Sequence, residues 1–248
     1  MLTRTLFLLI PLFIFGQTAE EVAKAMDARS TPKDMRSDLS MILTNKQGKT
    51  RESSIRSIAA DDNSKQIIWF LSPPDDKGVA FLKVEQDNGD DEMRLWLPAF
   101  KKVRRISSSK KADSFMGSDL SYEDMTNREF DEYTYALAGE EVVEGHPCHV
   151  LVSTPREGVT RTYSKFVSYV AKDDYRTLRE EAFDRSGNLL KTREVKFQQV
   201  GEYTLPVEMF VTNVQSNHST KLVFSNIEVD QGVEDDLFQE KNLKRMPR

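Results

Sequence analysis

Three histidines and one cysteine are the side chains of this 248-residue chain best suited to ligate zinc or to act as bases near neutral pH. Three of these four residues cluster as His146, Cys148 and His149. On an extended strand His146 and Cys148 point to one face and His149 to the other. The trio could therefore converge on one ion only if Pro147 bent the chain. His218, the remaining histidine, is remote in sequence, and a structural zinc site takes four such ligands. Cys148 beside Val150 reads as a small buried residue. A lone cysteine also excludes an internal disulfide.

Asp119, Glu123 and Asp124 invite a calcium or acid–base reading. The order Asp-x-Asp-x-Asp-Gly of a calcium loop is missing. In a short helix Asp119 and Glu123 share a face at i, i+4, which suits capping and pairing with neighbouring Lys and Arg side chains. The sequence has no Gly-x-Ser-x-Gly, His-Glu-x-x-His or phosphate-cradling glycine loop, and three histidines supply few general bases near neutral pH. Asp and Glu number 40, yet no spacing pairs two of them for hydrolysis. We therefore assign no catalytic residue, metal or cofactor from the sequence and expect a binding protein, not an enzyme.

Lys101, Lys102, Arg104, Arg105, Lys110 and Lys111 form a basic cluster in a chain of formal net charge -5. On a strand Lys102 and Arg104 share one face, and Lys101 and Arg105 share the other with Val103. Lys102, Arg104 and Arg105 are candidates for contact with anionic headgroups at a membrane surface or with an acidic partner. The same run would also serve as a charged edge strand that blocks sheet-to-sheet pairing. The overall acidity argues against nucleic acid as a partner.

These side chains need a scaffold, and the apolar pattern describes one. Arg4 precedes an apolar run over residues 6–15, with the small Gly16 after it. Ten residues fall short of the roughly 20 that span a membrane and match a secretory signal peptide cleaved near Gly16. The expectation is an exported, periplasmic chain whose residues 17–248 form one domain. Thr18 and Glu21 have the spacing of a capping box, and Ala19, Val22, Ala23 and Met26 fall on one helical face. From Met35 to Leu43 apolar residues recur with period two, as in a half-buried strand. Turn signals then recur at short intervals, which predicts roughly ten or eleven antiparallel strands curled toward a barrel. Residues 107–128 interrupt the pattern and read as a flap with one or two short helical turns.

Several strands are apolar on both faces. Ile67, Trp69 and Leu71 alternate with Ile68 and Phe70, so each side of the sheet must be covered. A wide barrel could meet that need with a helix, a flap and an apolar ligand. Flexible methionines suit a loosely shaped cargo. The candidate lipid contacts on strands are Met41, Trp69, Leu71, Phe81, Met93, Leu95, Trp96 and Met209. Those on the flap are Phe115, Met116, Tyr122 and Met125, and the flap is expected to gate the interior.

Three segments carry a resemblance. The first includes Ser72-Pro73-Pro74-Asp75-Asp76-Lys77-Gly78, the second Trp96-Leu97-Pro98-Ala99-Phe100, and the third Phe115-Met116-Gly117-Ser118-Asp119-Leu120-Ser121-Tyr122. In this order they resemble the outer-membrane lipoprotein-sorting protein family, a branch of the LolA/LolB-like superfamily. The match in order and spacing covers nearly the whole chain. It implies a mainly β protein: a LolA-like half-open antiparallel β-barrel with an N-terminal helix and a short helical flap on the concave side. It also implies a periplasmic protein that handles lipids or the acyl chains of lipoproteins on their way to the outer membrane. A second reading is a non-catalytic adaptor with a filled interior, docked on an inner-membrane transporter of the resistance-nodulation-division (RND) class.

Overall fold

The computed structural model describes residues 17–86, 89 and 91–245. The expected signal peptide lies outside the described residues. Among the described residues no helix is long and apolar enough to cross a membrane.

The chain opens with helix α1 (Ala19–Asp27), whose capping box is formed as its sequence predicts. Thr18 Oγ1 accepts from the Glu21 amide, and Glu21 Oε2 accepts from the Thr18 amide at 2.8 Å. Its apolar face buries Val22 and Ala23 against Leu151 and Val170.

The strands are β1 (Asp34–Thr44), β2 (Thr50–Ala60), β3 (Lys65–Ser72), β4 (Ala80–Val84), β5 (Glu92–Leu97) and β6 (Lys102–Arg105). They continue as β7 (Tyr133–Val143), β8 (His146–Pro155), β9 (Lys165–Ala171), β10 (Thr177–Phe183), β11 (Leu189–Val200), β12 (Tyr203–Asn213) and β13 (His218–Val229). All belong to one antiparallel sheet in the order β6-β5-β4-β3-β2-β1-β13-β12-β11-β10-β9-β8-β7. The count is thirteen, not ten or eleven. β7 is exposed along most of its length and has no apolar run, so the hydrophobic pattern does not announce it. The sheet stays open, with β6 and β7 as its two edges.

Strand β1 pairs with β13 at the centre of the sheet, placing Met41 opposite Leu222 and Leu43 opposite Thr220. Odd-numbered residues of β1 and β2 and even-numbered residues of β3 and β13 face the concave side. There Met41, Ile55, Ile68, Phe70, Phe81 and Met93 form the main apolar cluster with Phe115, Leu120 and Tyr122 of the flap. Phe115 meets Phe81 edge-on at 5.3 Å and Tyr122 edge-on at 5.8 Å.

The convex side is covered by the chain's own end. Ile67, Trp69, Ala80 and Leu82 are buried with Phe238 and Leu243, and Leu71, Trp96, Val103 and Leu237 pack against them. Trp69 Nε1 donates to the Asn242 carbonyl at 3.4 Å. The buried Asp34 carboxylate fixes where this C-terminal segment leaves the sheet. It accepts from the amides of Gln231, Gly232 and Val233 at 2.9, 2.9 and 3.1 Å.

The flap links the two edge strands across the concave face. It is less helical than expected. Ser114 and Ser121 form an isolated antiparallel bridge around a tight turn, and the Ser118 amide donates to the Phe115 carbonyl at 2.9 Å. Met116 (φ 52°) and Gly117 (φ 79°) at the turn's centre are both left-handed, as a hairpin turn of this hand requires. Short 3-10 turns at Ser108–Lys110 and Glu123–Met125 flank it.

Candidate functional site

The concave face encloses a hollow of about 330 Å³, within the range of ligand pockets. Its walls come from β1, β2, β3, β11, β12, β13 and the flap. Leu39, Met41, Ile55 and Ile68 form one side, Met209, Leu222 and Phe224 the other, and Phe115, Leu120 and Met125 the inner end. Thr31, Pro32, Asp62, Asn63 and Pro206 also border it, and Thr31, Asp62 and Asn63 are exposed. Leu39, Met125, Met209 and Phe224 are only half-buried, so apolar surface faces open space that no side chain fills.

Four of the expected lipid contacts, Met41, Phe115, Met125 and Met209, line this hollow. Phe81, Met93, Leu95, Met116 and Tyr122 share its face but sit in the packed cluster behind it. Trp69, Leu71 and Trp96 must be corrected. They face the convex side beneath the C-terminal segment, because residues of opposite parity on β3 and β5 take opposite faces. Leu39, Ile55, Ile68, Leu222 and Phe224 also line the hollow and were not singled out. For Leu39 the signal was available, since it shares the period-two face of Met41.

The flap is anchored at several points by partners remote in sequence. Arg128 donates to Glu180 as a fork, Nη1 to Oε2 at 2.7 Å and Nη2 to Oε1 at 2.6 Å, and its guanidinium lies 3.5 Å from the Phe166 ring centroid. Asp124 pairs with Lys191 on β11 and accepts from the Tyr163 hydroxyl at 2.9 Å. Asp119 accepts from the Thr220 hydroxyl and meets His218 Nδ1, each at 2.7 Å. Glu123 accepts from the Thr162 amide at 2.9 Å. Lys83 Nζ, fully buried on β4, donates to the Met125 carbonyl at 2.6 Å and to Glu85 at 2.7 Å. The acidic trio thus serves as pins, with partners on distant strands and loops and not on the neighbouring Lys and Arg. These contacts seat the flap as the inner wall of the hollow.

Burial would raise the Glu180 carboxyl, but Arg128 and Arg193 outweigh it and hold the group at about 2. Burial likewise opposes ionisation of Asp124, and Lys191 reverses it, keeping the carboxyl below its ordinary value. Burial pushes the Lys83 ammonium down, partly offset by Glu85. Two buried polar atoms of residues on the hollow's walls have no partner: Arg193 Nε and Gln66 Oε1.

The other chemical candidates are dispersed. Cys148 is buried on the convex side with Tyr169 and Leu178, whereas His149 lies 3.2 Å from Gln17 near α1, and His146 Nδ1 is 3.8 Å from Asp173. Among the described residues no group of three or more His, Cys, Asp or Glu is placed to hold a metal. Lys102, Arg104 and Arg105 are exposed on edge strand β6. Phe100, on the turn that leads into it, is 76% exposed. Lys111 instead pairs with Asp91 at 2.7 Å.

The model of a protein family described only as an uncharacterized protein matches residues 62–245. A solved domain from Vibrio parahaemolyticus, described as an outer membrane lipoprotein-sorting protein, is 33% identical. The match covers 92% of this chain and 98% of that one, with a TM-score of 0.85. A DUF1329 family protein from Desulfovibrio piger is 32% identical over 91% of this chain and 97% of its own, also at 0.85. A LolA superfamily protein from Nitrosomonas europaea shares the fold at a TM-score of 0.72 and 17% identity, over 91% of this chain and 99% of its own. No curated protein matches the chain.

Proposed function

This chain belongs to the outer-membrane lipoprotein-sorting protein family of the LolA/LolB-like superfamily, and from that membership we propose that it is a non-catalytic periplasmic carrier of lipid or of lipoprotein acyl chains. One observation carries the reading: a mainly apolar hollow of about 330 Å³ on whose walls Leu39, Met125, Met209 and Phe224 stay only half-buried. Hydrocarbon is drawn into such a space by the water it leaves, at about 0.8 kcal/mol per buried methylene. About ten methylenes would give about 8 kcal/mol, of the same order as the cost of association. A single chain is then held reversibly, as a carrier requires. Residues 1–16 have the make-up of an export signal, which supports a task in the periplasm. Lys102, Arg104 and Arg105 on the open edge are suited to meet anionic headgroups during transfer toward the outer membrane. The adaptor reading needs a filled interior and is disfavoured by the hollow.

The test is native mass spectrometry of gently purified mature protein, with titration of a fluorescent fatty-acyl probe. Co-purifying acyl mass and saturable uptake are expected. A protein that is empty and takes up no probe would refute the proposal.

A further inference from the structure

The hollow is mainly apolar, and at its inner end Arg193 of β11 reaches it beside Asp124 and Leu120. Arg193 is an ion-pair partner of Glu180, with Nη2 2.9 Å from Oε1. Glu180 is already occupied. Its two oxygens take the Arg128 fork at 2.7 and 2.6 Å and the Ser168 hydroxyl at 3.0 Å. One carboxylate therefore answers two guanidinium groups, and a carboxylate offers about four acceptor positions. Asp124, the other carboxylate at this end, is engaged by Lys191, Tyr163 and Ser121. Those positions are all taken, while Arg193 borders the hollow with 25% of its side chain exposed. A cation on a largely apolar wall, answered only by a shared carboxylate, favours an anion there.

The outer border has the opposite character, with Asp62 exposed beside Asn63 and Thr31. An anionic head is disfavoured there and favoured at Arg193. Gln66 Oε1, the second unpartnered atom, makes no demand on charge, since a terminal amide can exchange its oxygen and nitrogen by half a rotation.

We propose that the cargo is an anionic amphiphile bound head-inward, with a carboxylate or phosphodiester oxygen accepting from the Arg193 guanidinium where it borders the hollow. Its chain then lies between Met41 and Met209 and leaves past Pro32 and Pro206. This inference rests on the carrier reading and adds the charge and the direction of the ligand.

Competition against a fluorescent acyl probe on the mature protein at neutral pH tests it. Laurate and dodecanol have chains of equal length and differ at the head. Laurate is expected to compete about tenfold better or more, the size of one charge-assisted hydrogen bond in a site of this kind. Arg193→Met should collapse that ratio toward one, and Arg193→Lys should keep part of it. Short-chain phosphatidylglycerol set against the matching diacylglycerol asks whether a phosphodiester is accepted as well as a carboxylate. Equal competition by laurate and dodecanol in the unmodified protein overturns the proposal, as does a preference that survives in Arg193→Met. The unmodified comparison stands alone should that variant fail to fold. If laurate and dodecanol tie, the carrier reading survives and only the head-inward claim falls. If neither displaces the probe, both fall.

Discussion

Arg128 of the flap and Glu180 of β10 meet as a two-pronged pair, at 2.7 and 2.6 Å, across 52 residues of sequence. The pair ties the inner wall of the hollow to the half of the sheet that does not line its apolar end. Removing Arg128 leaves the buried carboxylate to Arg193 and Ser168 alone. Arg128→Met should therefore destabilise the protein by about 1.5–3 kcal/mol, measured by urea unfolding.

The same carboxylate sets an acid dependence. Glu180 is held at about 2, against an ordinary value of 4.5. A depressed carboxyl contributes stability that is fully present above the unfolded value and lost as pH falls through the folded one. Stability should drop between about pH 5 and pH 2, and this group accounts for about 3 kcal/mol of the loss. Glu180→Gln should lower stability at pH 7 and flatten the slope over that window. An unchanged slope in the variant counts against this assignment.

Met209 is half-buried and faces the hollow. Met209→Trp should place a ring in unfilled space, with a stability change under about 1.5 kcal/mol. Uptake of an acyl probe should fall by tenfold or more, on the order of 1.4 kcal/mol. Retained uptake would mean that the probe binds elsewhere.

Phe238 is buried on the opposite side of the sheet, over Trp69. Phe238→Ala should cost about 3–5 kcal/mol and shift tryptophan emission to the red. Probe affinity should hold under native conditions, because the convex cluster does not border the hollow. A matching loss of affinity would show that the two faces are coupled.

Arg104 and Arg105 are exposed on the β6 edge. Reversing both to Glu should leave stability within about 0.5 kcal/mol. Sedimentation with vesicles rich in phosphatidylglycerol should drop by tenfold or more, since each cation near such a surface contributes about 1 kcal/mol. Equal binding to neutral and anionic vesicles before mutation would remove the edge from any role at the bilayer.

Much of this architecture was legible in the sequence, and the failures have physical causes. The Thr18 and Glu21 spacing announced a capped helix, and the alternation from Met35 to Leu43 announced a half-buried strand. The two-faced run Ile67–Leu71 showed that both sides of β3 are covered, but periodicity cannot say which side holds the hollow. Trp69 was therefore assigned to the cavity although it lies under Phe238 and Leu243. The cover itself, residues 233–245, is built from short 3-10 turns with no repeating pattern to read. The flap's pins were out of reach for a different reason. Asp124 and Lys191 are 67 residues apart, and local spacing offered only the nearby basic residues as partners.

The pairing of β1 with β13 has a consequence for how the molecule assembles. Strands β1 to β6 and strands β7 to β13 are each joined in series to their sequence neighbours, so either ladder can grow by local hairpins. The seam between them needs the first strand and the last, with Met35 opposite Val229. Closing so long a loop is slow and entropically costly. A chain delivered from its N-terminus would wait as two unjoined ladders until nearly all of it had emerged. The hollow, whose walls straddle that seam, would then be the last feature to exist, and nothing could be loaded before synthesis and delivery were complete.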